Sequence, residues 1–393
     1  MKNALEWIQE KIFPEPKDED LFPPTPNLDE LPGPYTDRFS LNPAREPSEV
    51  LGRAGDEVEN GKGGELKVIE NALEQWKNHG IPLLLEGESG VGMTSLLQAA
   101  MPLLPEPVVF LEDKGRITCR EELLPVLTQA MGAEKAESLD ALAHVEPGAP
   151  RVVVFENVER LFLRRIGGYD LLQDFLLFVN ATRKKVFWVV TINDYSFYFL
   201  NHAIKLADNF SSKKVSCLSA DKIKAAIMKR NEGFRMMFLK PEKLSRRYKQ
   251  RLSKMDPESR QASLRENFFG QLLEFAGGNI SRAIIYWLAA ARGVKEGIVH
   301  LKAPAIVKPQ EVPLEELLVL EAVFLHTSLS FEEVEAVFHH SSYNGRLLLD
   351  RLLSRGWLYP RSPRSGVQEY QVNFWFLHEL KELLKNKLNR KIS

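Results

Sequence analysis

Pro82-Leu-Leu-Leu-Glu-Gly87-Glu-Ser-Gly-Val-Gly92-Met93-Thr94-Ser95 decides how this chain is read. Residues 82–85 are a short apolar run of strand type leading straight into glycines, and from Thr94 to about residue 101 the spacing is helical. Strand, glycine-rich loop and helix in that order match the phosphate-loop pattern G-x-x-x-x-G-K-[ST], with Met93 in the lysine position. Such a loop turns successive backbone N–H groups toward phosphate with no Cβ in the way, and the helix behind it adds partial positive charge. Gly87, Ser89, Gly90, Val91, Gly92, Met93, Thr94 and Ser95 are therefore the candidate nucleotide-binding residues. Thr94 stands where its hydroxyl oxygen can ligate Mg2+. Methionine offers no charge and no donor to the β- and γ-phosphates. Losing one charge-assisted hydrogen bond costs about 1.5 to 3 kcal/mol, roughly one to two decades of affinity. ATP and Mg2+ are thus expected to bind weakly.

Outward from the loop, a helix over Glu65–His79 precedes it, and apolar runs at 108–111, 152–155, 186–192 and 215–218 alternate with helical segments after it. Continuous apolar strands separated by helices predict an α/β unit over 65–218 whose parallel sheet is covered on both faces. In Arg151-Val-Val-Val-Phe-Glu156-Asn157 the strand delivers Glu156 to its end, the Walker-B position for a second Mg2+ ligand. Asn157 follows where a glutamate could activate water, and an amide cannot accept that proton. Glu159, two positions on, either assists there or is a solvated helix residue, the second reading being favoured. Thr191 or Asn193, at the end of the next strand, either positions water or caps the following helix.

Residues 1–64 read as an arm. A short apolar-faced helix over 4–13 gives way to prolines recurring from Pro14 to Pro47, whose fixed φ and missing N–H exclude helix and sheet interiors. A glycine-rich, charged stretch at 52–64 follows. The arm either docks on the chain's own domains or grips a partner. Beyond residue 219 no strand is expected: 219–302 reads as a helical lid with helices over 221–230 and 265–292 and a polar, basic insertion at 240–260.

Residues 303–393 read as a linker and a winged helix. Helices are expected over 314–326, from the capping box Ser330-Phe-Glu-Glu333 to about 338, and over 342–355. A hairpin joins 357–359 to 370–372, and a terminal helix closes the chain. The third helix offers Tyr343, Asn344, Arg346, Arg351 and Arg355, the wing Arg361 and Arg364, whereas Glu332, Glu333 and Glu335 precede them. Protein and DNA are both readable as ligands, and the mixed charge favours protein.

Composition narrows the classes. A chain of 393 residues, 44% hydrophobic and 27% charged, fits two or three globular domains rather than a disordered polymer. No apolar run approaches the roughly 18 to 20 residues of a membrane span, and no secretory signal begins the chain, so a cytoplasmic protein is expected. Cys119 and Cys217 are too few for a disulfide framework or a thiolate zinc site. Lysine plus arginine (52) balances aspartate plus glutamate (53), so there is no global attraction to nucleic acid. His339, His340 and His378 lack companions at metal-ligand spacing.

On these residues the chain resembles the AAA+ and STAND class of P-loop ATPases, in particular a bacterial group with a C-terminal winged helix. The resemblance spans roughly 65–388. It rests also on Glu156-Asn-Val-Glu-Arg160-Leu-Phe-Leu-Arg164-Arg165-Ile-Gly-Gly168, on Phe187-Trp-Val-Val-Thr-Ile-Asn193, and on Gly277-Gly-Asn279-Ile-Ser-Arg282-Ala-Ile284. It implies a five-stranded sheet in the order 5-1-4-3-2 beneath a helical lid. It further implies that Arg282 approaches the γ-phosphate from the lid and that Arg164 or Arg165 serves a neighbouring subunit as a finger. With Glu156, Asn193 and Arg282 as the implied catalytic set and Met93 and Asn157 out of pattern, the expectation is a degenerate P-loop protein. Its ATP hydrolysis is weak or absent, and it acts as an assembly or regulatory subunit through its arm and winged helix. The partners implied are proteins, an ATPase-competent paralogous subunit among them, or DNA through the winged helix. The alternative is a slow ATP-hydrolysing switch or DNA-associated ATPase in which another cation fills the gap at Met93.

Overall fold

A computed structural model describes residues 24, 31–39, 41, 64–111, 115–146, 151–241, 245–306, 311–339, 342–361 and 366–388. The expected helix at 4–13, most of the proline tract, the stretch 52–63 and Arg364 lie outside them.

Five strands form an all-parallel sheet: β1 (Leu83–Gly87), β2 (Val108–Leu111), β3 (Arg151–Phe155), β4 (Val186–Asn193) and β5 (Ser211–Lys214). Their order, β2-β3-β4-β1-β5, is the 5-1-4-3-2 arrangement of an AAA+-type P-loop NTPase fold. Strand residues alternate between two apolar layers. Leu83, Leu85, Val152, Val154, Phe187 and Val189 pack on one face with Ile69, Trp76 and Leu96, and Leu84, Val153, Trp188 and Val190 on the other with Leu172, Phe175 and Val179. The helices are α1 (Gly33–Arg38), α2 (Glu65–His79), α3 (Met93–Ala100), α4 (Arg120–Met131), α5 (Leu139–Ala143), α6 (Asp170–Thr182) and α7 (Asp194–Ile204).

The last strand of this sheet corrects the sequence reading. It is Ser211–Lys214 rather than 215–218, because an edge strand half open to solvent can be polar. Val215 still donates its N–H to the Glu86 carbonyl at 2.7 Å, and its side chain turns into the core; the apolar signal marked that turn.

The 219–302 segment holds α8 (Ala220–Arg230), α9 (Arg246–Ser253), α10 (Pro257–Ala276) and α11 (Ile280–Ala290), but also a three-stranded sheet of β6 (Arg235–Phe238), β7 (Ala291–Lys295) and β8 (Ile298–Leu301). Strands therefore continue past residue 219. They are four or five residues long, too short for periodicity to separate them from helix ends. The helix expected over 265–292 is two helices, broken where Gly277 and Gly278 take φ of +57° and +89°.

Part of the proline tract is helical after all. Pro34 occupies the first turn of α1, where a missing N–H costs nothing. This strap docks on the 219–302 segment. Tyr35 and Phe39 are fully buried, Phe39 stacks on Trp287 at 5.8 Å, and Tyr35 accepts from Trp287 Nε1 at 2.8 Å while donating to Asn231 Oδ1 at 3.1 Å.

The C-terminal segment comprises α12 (Leu314–Leu325), β9 (Leu329–Ser330), α13 (Phe331–Phe338), α14 (Ser342–Ser354), β10 (Leu358–Arg361), β11 (Glu369–Val372) and α15 (Leu377–Leu388), with β10-β11-β9 antiparallel. Ser330 and Glu333 form the expected capping box. Among the described residues no helix is long and apolar enough to cross a membrane.

Candidate nucleotide site

The loop sits at the C-terminal end of β1, where Gly87 is in register with Asn193 of β4. Gly90 and Gly92 take φ of +81° and +98°, conformations that side-chain-bearing residues rarely adopt. Thr94 lies in the first turn of α3 and Glu156 one residue beyond β3, and Thr94 Oγ1 donates to Glu156 Oε1. The two oxygens expected to share Mg2+ are thus adjacent, and an all-oxygen pair suits that ion. Met93 lies back over the first glycine: a Cβ placed on Gly87 would meet its sulfur at 3.1 Å. Its side chain also packs against the apolar layer beneath α2 and α3. The donor set fits a phosphate-bound Mg2+, whereas position 93 supplies no cation.

The 219–302 segment touches the loop directly. Ser281 N–H donates to the Gly90 carbonyl at 3.2 Å, and Asn279 Nδ2 donates to the Ser89 carbonyl at 2.9 Å and to Glu88 Oε1 at 3.2 Å. A Cβ on Gly90 would lie 2.8 Å from Ser281 Cβ and 2.9 Å from the Phe374 ring, so the loop is closed in by both other segments. Arg282 follows in the same helix. It is buried, with its guanidinium 4.6 Å over the Phe275 ring. Burial lowers its pKa, opposed by the nearby Glu379 and Glu88 carboxylates.

Asn193 is held by hydrogen bonds at both ends of its amide. Its Oδ1 accepts from Ser196 N at 2.7 Å, capping α7, while Nδ2 donates to Glu159 Oε1 and to Thr327 Oγ1, each at 2.9 Å. Thr191 Oγ1 accepts from Asn157 N at 2.9 Å. Glu159 corrects the expectation of a solvated residue. It is fully buried, accepts from Thr327 Oγ1 at 2.7 Å, and its pKa is pushed up by burial against these hydrogen bonds. The 3-10 turn Val158–Leu161 folds it under the end of β4.

That turn begins a buried polar joint with the C-terminal segment. Arg116 donates to the carbonyls of Phe162 at 2.7 Å and Ser328 at 2.8 Å and pairs with Glu333 at 2.6 Å. Arg160 pairs with Glu369 at 2.5 Å, and Ser328 Oγ donates to the same carboxylate at 2.6 Å. Arg164, read as a finger for a neighbouring subunit, is engaged within its own chain: it bonds Glu321 at 3.3 Å and lies 5.8 Å over the Phe338 ring. Arg165 is exposed.

Sequence reasoning missed Glu88 and Lys381. Lys381 on α15 places Nζ 3.2 Å from Glu88 Oε2 and 3.4 Å from Asp194 Oδ2. Beside Lys385 and Lys387 on an amphipathic helix, nothing local distinguishes it.

No family model and no curated protein matches this chain. Solved structures similar to it include the Orc1 protein of Aeropyrum pernix in complex with DNA, at 14% identity over 86% of this chain and 96% of that one, with a TM-score of 0.44. Also similar are the Walker-type ATPase PABY2304 of Pyrococcus abyssi (15% identity, 88% and 99% coverage, TM-score 0.39) and the Orc2 protein of Aeropyrum pernix in ADPNP-ADP complexes (10%, 88% and 99%, 0.38). At these identities the likeness concerns fold alone.

Proposed function

We propose that the chain is an AAA+/STAND-like nucleotide-responsive protein of the cytoplasm that binds ATP and Mg2+ weakly, hydrolyses ATP little or not at all, and serves as a regulatory or assembly subunit. Residues 65–218 are its nucleotide domain, 219–302 its lid and 303–393 a winged-helix docking domain. The observation that carries this reading is the division of labour around the loop. Thr94 and Glu156 keep the metal-binding pair, while Asn193, which a turnover enzyme would use on water, spends both ends of its amide on a helix cap and on the joint to Thr327.

A protein partner suits the winged helix better than DNA. The groove of about 250 Å3 between α14 and the hairpin mixes Glu332 and Asp350 with Arg346 among Phe331, Leu349 and Val367, and Arg355 is drawn to Glu316 at 2.7 Å. Alternating charge on an apolar floor matches a peptide surface rather than a phosphate backbone.

Calorimetric titration of nucleotide-stripped protein with Mg2+ and a non-hydrolysable ATP analogue tests the first part. Weak binding that Thr94→Ala diminishes supports it, and no heat with no thermal shift refutes it. Salt-dependent duplex binding that disappears in Arg346→Ala/Arg351→Ala would replace the protein partner with DNA.

A further inference from the structure

The mouth of the loop holds an ammonium that the reading above does not use. Glu88 is the second residue of the loop and Asp194 the first beyond β4, and Gly87 pairs with Asn193 in register. Their carboxylates therefore stand at the ends of adjacent strands, and Lys381 Nζ bridges them at 3.2 and 3.4 Å. The crevice beyond the carboxyl ends of the strands is where open α/β sheets take their ligands.

Lys381 is not a surface charge that happened to land there. Its side chain is 15% exposed, and the helix that carries it is anchored by buried Leu377, Leu380 and Leu384. Just before that helix, Phe374 lies against Gly90, and Trp375 packs on Phe275 with ring centroids 4.4 Å apart. An ammonium has three donors. Two face the carboxylates, which leaves a third for a phosphate oxygen.

The geometry points to Lys381 as the phosphate-binding cation that position 93 lacks, delivered in cis by the C-terminal segment, so that affinity for ATP with Mg2+ depends on that segment being docked. This rests on the nucleotide-binding reading. It makes the departure at Met93 a partial relocation of the charge, with binding still weak because the ammonium is shared with two carboxylates.

The test is the affinity of the full chain for a fluorescent ATP analogue with Mg2+, measured for wild type, Lys381→Gln, Lys381→Arg, Met93→Lys and the Met93→Lys/Lys381→Gln double variant. The lost charge-assisted bond should weaken Lys381→Gln about 10- to 100-fold. Lys381→Arg should keep the wild-type affinity, and the double variant should regain it. If Lys381→Gln does not fold, Lys381→Met, which keeps the apolar stem, takes its place. Affinity unchanged or increased in the uncharged variant overturns the assignment and leaves the nucleotide reading standing. Binding by Met93→Lys alone, with none by wild type, also overturns it. No binding by any of the five overturns the nucleotide reading itself.

Discussion

Removing one member of the Arg160–Glu369 pair should destabilise the joint between the five-stranded sheet unit and the C-terminal segment by about 3 kcal/mol. The two side chains are 4% and 5% exposed and 2.5 Å apart, and Ser328 Oγ also donates to the carboxylate. In Arg160→Met the apolar stem stays and the charge goes, leaving Glu369 buried beside the Ser328 hydroxyl, with the nearby Arg116 already paired to Glu333. Breaking a buried pair in this way costs about 3 to 5 kcal/mol. In Arg160→Met/Glu369→Leu no charge is left unpaired, so the double variant should lie within about 1 kcal/mol of wild type. Urea unfolding followed by tryptophan fluorescence reads the joint, since Trp357 and Trp375 are both buried in the C-terminal segment. A loss below about 1 kcal/mol for Arg160→Met, the value of an exposed pair, would refute the buried joint.

Glu159→Gln should be close to neutral for stability. Burial raises the carboxyl's pKa, and an amide keeps an acceptor for Thr327 and Asn193. A raised acid contributes stability that is full below its ordinary value of 4.5 and lost as pH rises through the folded value; thermal unfolding across that window should show the decline in wild type and not in Glu159→Gln. His326 has the opposite sign: burial, then Arg116 and Arg164, hold its pKa well below 6.5, so the folded state resists protonation. Its stability is present above 6.5 and falls on acidification below that value, and His326→Phe should flatten this limb in the same melts. Phe39→Ala should cost about 3 to 5 kcal/mol and leave the strap open to limited proteolysis, because a fully buried ring on Trp287 is lost.

What the sequence could reveal followed from where the physical signal is local. Strands β1, β3 and β4 announce themselves because a strand buried on both faces must be apolar throughout, as in β4, every residue of which is buried; β2, half-buried at the other edge, was legible because Val108–Leu111 is apolar all the same. Edge strand β5 escaped because one side of it meets water. The meeting of Thr94 with Glu156 was legible because the phosphate-loop pattern and the end of apolar strand β3 fix residue type and spacing together. Glu159 was not: a glutamate four residues after a strand looks the same whether it meets solvent or Thr327, 168 positions away. Lys381 and Arg160 belong to the same class, since their partners are chosen by how the segments pack and not by neighbours in the chain.

The same packing ties the C-terminal segment to the loop twice. Lys381 reaches Glu88 and Asp194 at the strand ends, and Thr327 reaches Asn193 and Glu159 just beneath. Asp194 and Asn193 are consecutive, so a shift of α15 relative to α12 strains two adjacent residues that border the loop. Whatever binds the loop and alters either contact must alter the docking of the C-terminal segment by the same free energy, because linkage is reciprocal. A partner gripping the C-terminal segment and shifting it would therefore change the affinity of the loop for its ligand even if it never approached the loop. If that ligand is nucleotide, as proposed, the joint reports on it without turnover, since binding alone supplies the coupling.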